Sequence, residues 1–194
     1  MKLYYAPGAC SLADHIALQE AGLSFERVKV DIPTRTMEDG GDFTRVNPKG
    51  YVPALEFDGG EILTENAAIL SWIAEQAPSL APDGALGRIR LIEMLSFIAS
   101  EVHKPFIRAM FPTADADRDA ARKIIEGRFD LIAGRLGGDY LFGERFSAAD
   151  AYLFVMLRWA QGMNIELPER LRDLLERVNA RPAVRQALRA EGLG

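Results

Sequence analysis

Apolar positions come in short runs and alternations over the first third of the chain, and beyond residue 87 they recur only at helical spacing. Residues 2–5 read as a buried strand, and 11–21 as a helix whose inward residues include Leu12, Ile16 and Leu18, closed by Gly22. Residues 25–30 alternate as a second strand, so the three segments form a βαβ unit with parallel pairing and a right-handed crossover. The polar stretch 31–47, with Gly40-Gly41 inside it, predicts a loop and a short helix. Residues 54–57 and 61–63 flank Asp58-Gly59-Gly60 as a hairpin. Residues 65–76 follow as a helix with Ala67, Ala68, Leu70 and Ile73 turned inward.

The pattern then changes. Residues 77–87 carry Pro78, Pro82, Gly84 and Gly87, which read as a linker between domains. Past it, 88–111, 116–136, 147–162 and 169–190, the last broken at Pro182, all show helical periodicity. The prediction is an α/β domain over 1–77, with a mixed βαβ-ββα sheet, a linker over 78–87, and an all-α helical domain over 88–194.

Composition narrows the options. The chain has 194 residues, 48% hydrophobic and 26% charged, with a formal net charge of −5, which disfavours nucleic acid or an anionic membrane as the main partner. No run approaches the apolar length of a membrane span, and Pro7-Gly8 interrupts the start before a leader's apolar core could form. The expectation is a soluble cytoplasmic protein. A single cysteine allows no internal disulfide and fits a reducing compartment. No metal-ligand spacing or phosphate loop is present.

Cys10 lies where the first strand turns into the first helix. Unpaired N–H groups at a helix start favour an anion, so this position can make a thiol reactive. A cysteine that merely packs is the other reading. His15, five residues on and about 500° around the helix, falls on a different face and reads as structural. Ser147-Ala148-Ala149-Asp150 is a capping box that starts a helix.

Four segments in order, Tyr4-Tyr5-Ala6-Pro7-Gly8-Ala9-Cys10-Ser11-Leu12, Asn47-Pro48-Lys49-Gly50-Tyr51-Val52-Pro53-Ala54-Leu55, Phe146 to Phe154, and Leu157-Arg158-Trp159-Ala160, together with Thr64-Glu65-Asn66, resemble the cytosolic glutathione transferases, most closely their bacterial beta class. The resemblance implies a thioredoxin-like first domain, a cis Pro53, and Val52 main-chain groups that pair with the cysteinyl part of glutathione as a strand does. It implies that Glu65 and the N-terminus at Asn66 hold the γ-glutamyl end, where the family usually has Ser or Gly in place of Asn66. Arg35, standing for the family's Lys, would grip the glycyl carboxylate. His103 would reach across the domain cleft toward the sulfur as donor or cation, and Lys104 would contact glutathione. Ser96, where the family usually has Asn, and Glu101 match positions that reach the partner subunit's site in a homodimer.

The activity so implied joins the glutathione thiol, as co-substrate, to hydrophobic electrophiles, with Phe106, Met110, Phe111 and Trp159 as candidate electrophile contacts. Monothiol disulfide exchange through Cys10 is an alternative, since Ala13 stands where a second Cys of a CxxC motif would be. A non-catalytic glutathione or ligand binder is the third.

Overall fold

In the computed structural model, which describes residues 1–194, β1 (Lys2–Tyr5) is the central strand of a five-stranded mixed sheet. It pairs in parallel with β2 (Glu26–Asp31), Leu3 opposite Arg27, and antiparallel with β4 (Ala54–Glu56), Leu3 opposite Leu55. The edges are β3 (Thr36–Met37) beside β2 and β5 (Ile62–Thr64) beside β4, both antiparallel. The crossover between β1 and β2 is α1 (Leu12–Glu20). The polar stretch 31–47 holds the expected short helix, a 3-10 turn at Phe43–Arg45, and also the strand β3, which the sequence pattern does not mark. Two half-buried residues at a sheet edge leave no periodic trace.

Helix α2 (Asn66–Gln76) buries Asn66, Ile69, Leu70, Ile73 and Ala74, a stripe at helical spacing. Ala68, expected inside, is exposed, and Ala67 is half-buried. From Gly87 onward every element is helical: α3 (Gly87–Phe97), a π turn at Ile98–His103, α4 (Lys104–Met110), α5 (Asp115–Arg135), α6 (Ala148–Gly162), α7 (Glu169–Asn179) and α8 (Pro182–Ala190). The single helix expected over 88–111 is thus divided. Pro105 has no N–H to give to the carbonyl of Glu101, and the ladder widens in the turn before it.

One apolar core of 48 buried residues joins the sheet to these helices, and Leu80, in a 3-10 turn at Pro78–Leu80, is anchored in it. Helix α1 is enclosed by this arrangement. It packs on α2, α6 and α8, and every residue from Leu12 to Leu18, including Asp14 and His15, is buried. No helix is long and apolar enough to cross a membrane.

Helix α6 is the most enclosed element of the second half, and its start is fixed as the sequence predicts. Asp150 Oδ2 accepts from the Ser147 N–H at 2.8 Å and from the Ser147 hydroxyl at 2.6 Å, and Asp150 Oδ1 accepts from the Leu141 N–H at 2.9 Å. Ser147→Ala should cost about 1 kcal/mol, the usual size of an N-cap. Asp150→Ala should cost more, about 3 kcal/mol, because two buried N–H groups lose their acceptor at about 1–3 kcal/mol each. Urea unfolding of both variants checks the order; equal stability of Asp150→Ala and the parent would contradict it.

Candidate functional site

The turn that carries the thiol is held from both sides. After β1, the Ser11 hydroxyl accepts from the Ala6 N–H at 3.2 Å and lies 3.4 Å from the Ala6 carbonyl. Gly8 takes a φ of +70°, which suits glycine. Its N–H donates to Glu191 Oε2 at 3.0 Å, and its carbonyl accepts from the Trp159 indole at 2.8 Å. The chain's distant C-terminal end and α6 therefore set the path of the backbone two residues before Cys10.

Cys10 is buried, with Sγ 3.5 Å from the Val52 carbonyl. Burial opposes the ease of ionisation expected at a helix start. Burial, and then the nearby Asp14 carboxyl, push the thiol up to about 12, while the N–H groups of Cys10 and Ser11 pull it down by less. Helix-start donors do face the sulfur, but loss of water outweighs them.

Two buried polar ties hold α1. The Asn66 amide donates to the Cys10 carbonyl at 2.9 Å and to Asp14 Oδ2 at 2.7 Å, linking the thiol turn to the start of α2. Burial pushes the Asp14 carboxyl well above the ordinary carboxylate range. The Asn66 side chain is thus committed inward, and only its main chain is open to a ligand. On another face, His15 Nδ1 lies 2.8 Å from Glu191 Oε1, both side chains being fully buried, which accords with a structural histidine.

The stretch 47–53 forms the opposite wall. The Val52–Pro53 bond is cis, as the resemblance implies. The Val52 N–H donates to no group of the chain, while its carbonyl faces Cys10. Gly50, at φ +74°, lies under the Arg35 side chain: a Cβ there would sit 2.9 Å from Arg35 Nε. Arg35 is exposed and itself has φ +57°. Glu65 precedes α2 at φ +75°, and its Oε1 accepts from Lys49 Nζ at 2.5 Å and from the Tyr51 hydroxyl at 2.9 Å. Lys49, aided by Tyr51, holds the Glu65 carboxyl below its ordinary value against partial burial. Lys49 and Tyr51 were not singled out from the sequence, although both lie in the motif that carries Val52.

The helical wall brings His103 to the end of the π turn. Its Nδ1 lies 2.8 Å from the hydroxyl of Tyr152, and its ring stands edge-on to Trp159, centroids 5.2 Å apart. Burial, then the charge of Lys104, lower its pKa to about 4, while Glu65 opposes this. Of the two expected roles, donor or cation, these surroundings favour the uncharged donor. Lys104 is exposed.

The electrophile candidates separate. Phe106 is fully buried between Phe129 and Trp159, a core residue rather than a contact. Trp159 and Met110 are half-buried, and Phe111 is 76% exposed. Ser96 is exposed, while Glu101 accepts from Arg128 at 2.7 and 3.1 Å within the chain. The structure gathers Cys10, Arg35, Val52, Pro53, Glu65 and Asn66 on the sheet side, with His103 and Trp159 on the helical side. No cluster of three His, Cys, Asp or Glu side chains stands ready for a metal.

Comparison with known proteins gives the family. Residues 9–76 match the family described as glutathione S-transferase, N-terminal domain, and residues 115–190 match glutathione S-transferase, C-terminal domain. The chain is 42% identical over 200 residues to glutathione S-transferase GstA of Escherichia coli O157:H7, each covered in full. It is similar to a sphingomonad glutathione S-transferase solved in complex with glutathione, with 47% identity and a TM-score of 0.93 over the whole of both chains. It is also similar to the bacterial beta-class glutathione S-transferase of Sphingomonas chungbukensis, with 47% identity, a TM-score of 0.91 and full coverage of both chains. By its two matched domains, its full-length relatives and its fold, this chain belongs to the glutathione S-transferase family.

Proposed function

We propose that this chain binds glutathione along the Val52 main chain, between Arg35 and the start of α2, and transfers its thiol to hydrophobic electrophiles. The convergence of three kinds of group beside Cys10 supports this most: an unpaired strand-like N–H at Val52, the open N-terminus of α2 at Asn66 and Ala67, and the charged set Arg35, Lys49 and Glu65. Glutathione presents two carboxylates and one ammonium. The α2 N–H groups suit the γ-glutamyl carboxylate, Glu65 the ammonium, and Arg35 the glycyl carboxylate through its planar fork. In the reaction the thiol gives its proton to solvent and the sulfur forms a bond to an electrophilic carbon. In a substitution that carbon's bond to its leaving group breaks and the leaving group departs with the electron pair; in an addition a π bond breaks and the neighbouring atom takes up a proton. His103, with Lys104 beside it, serves the sulfur from the helical wall, and the electrophile lies against Met110, Phe111 and Trp159.

The raised pKa of Cys10 weighs against disulfide exchange, because the thiolate, not the thiol, attacks a disulfide. In this reading the chain works in the cytoplasm as a homodimer. Leu86 and Ile89, exposed by 59% and 57% at the start of α3, supply apolar surface for a second copy, with Ser96 and Glu101 further along that face.

Glutathione affinity should depend on Arg35 and Glu65 more than on Cys10, since charge-assisted contacts are each worth about 1.5–3 kcal/mol. Calorimetry should find Arg35→Ala and Glu65→Ala weakened tenfold or more, at about 1.4 kcal/mol per tenfold, and Cys10→Ala weakened less. Affinities of the two charge variants equal to the parent's would remove the site assignment.

Iodoacetamide labelling of Cys10 follows from its surroundings. Only the thiolate reacts and there is no other cysteine, so the folded protein should label slowly up to pH 9, with a midpoint well above the ordinary value of about 8.5. Denaturant should restore ordinary labelling. A folded-state midpoint below 8.5 would contradict the dominance of burial.

A further inference from the structure

Tyr152 sits on α6 with its side chain buried, only 1% exposed, in the wall behind His103. Its hydroxyl makes one hydrogen bond in the chain, the 2.8 Å contact with His103 Nδ1. Burial holds its pKa well above the ordinary value, so the phenol keeps its proton. That proton needs an acceptor. Were Nδ1 protonated, the imidazole would be the donor and the phenol hydrogen would be left buried without a partner, which costs about 1–3 kcal/mol. The arrangement that satisfies both groups has the Tyr152 O–H donating to Nδ1 of a neutral imidazole whose proton is on Nε2.

From this contact we propose that Tyr152 is a positioning residue: it fixes His103 as the neutral Nε2–H tautomer, so that His103 offers the glutathione sulfur one oriented, uncharged hydrogen-bond donor. The ring has little freedom to turn away. Trp159 stands edge-on to it at 5.2 Å and Tyr152 at 5.9 Å, and Trp159 is itself tied to Gly8 beside the thiol turn. One buried phenol thereby sets which nitrogen faces the cleft, as an orienting partner does for other functional histidines. The inference rests on the proposed service of His103 to the sulfur, and the tautomer is measurable without it.

The test uses the full-length protein labelled with nitrogen-15 in its histidines, of which there are two. Long-range nitrogen–proton spectra should show His103 with its proton on Nε2, assigned by loss of its signals in His103→Ala. In Tyr152→Phe, which keeps the packed ring, His103 should become a mixture of tautomers while the His15 signals stay in place. Conjugation of glutathione to 1-chloro-2,4-dinitrobenzene should lose roughly tenfold in kcat, as expected for a lost orienting bond, with KM for glutathione changed less than twofold. A change confined to thermal stability would reduce Tyr152 to packing and overturn the proposal. So would a parent spectrum with the proton on Nδ1, which decides the matter even if the variant does not fold. Full kcat in His103→Ala would instead refute the role of His103 toward glutathione, leaving the tautomer to be judged by the spectra.

Discussion

The rest of the structure depends on the burial of α1 on all sides from Leu12 to Leu18. A crossover helix between parallel strands ordinarily covers one face of a sheet and leaves its other face to water. Here α2, α6 and α8 close over it, so Ser11, Asp14 and His15 have no solvent to turn to. Each is paired: Ser11 with Ala6 in the turn before the helix, and Asp14 and His15 with Asn66 and Glu191 from distant parts of the chain. Burying polar groups costs free energy unless they are paired. The pairs therefore tie the thiol turn to the start of α2, to the end of α8 and, through Gly8, to α6.

The same burial determines the site's electrostatics. Both candidate sulfur-facing groups lie where water is scarce, and each is driven to its neutral form: the Cys10 thiol up to about 12 and the His103 imidazole down to about 4. Charge collects instead at the rim, where Arg35, Lys49, Glu65 and Lys104 meet solvent. The site is thus divided into a charged rim and an uncharged interior beside Cys10. The Asp14 carboxyl, buried beside Cys10 and also driven toward its neutral form, fits the same pattern.

Much of this was legible in the sequence, for particular reasons. The apolar run at residues 2–5, the alternation over 25–30 and the Asp58-Gly59-Gly60 turn between 54–57 and 61–63 are strong local signals, and they give four of the sheet's five strands. Ser147 to Asp150 encodes its own helix start. The beta-class motifs contain Cys10 and Val52, and the fold brings the Cys10 sulfur to 3.5 Å from the Val52 carbonyl. What escaped depends on long-range burial. Whether Cys10 is acidic or inert is decided by how completely α2 and α6 exclude water, which helix-start reasoning does not contain. Phe106 and Trp159 both lie in helical segments, and the packing of α4 against α5 buries the first completely. Glu191, 176 residues from His15, and Tyr152, 49 from His103, carry no local mark of their partners. The strand at Thr36–Met37 exists only because β2 offers it an edge.

The claim at the centre of this account is that buried polar pairing, not the intrinsic chemistry of Cys10, joins the thiol turn to the helix that begins the candidate glutathione site. The most direct measurement is a double-mutant cycle on Asp14→Ala and Asn66→Ala, read as unfolding free energy in urea. Paired across a buried contact of 2.7 Å, the two residues should be coupled by about 0.5–3 kcal/mol, the range found for contacting residues in one network. Additive effects, within about 0.5 kcal/mol, would show that the tie carries no energy and would contradict the account.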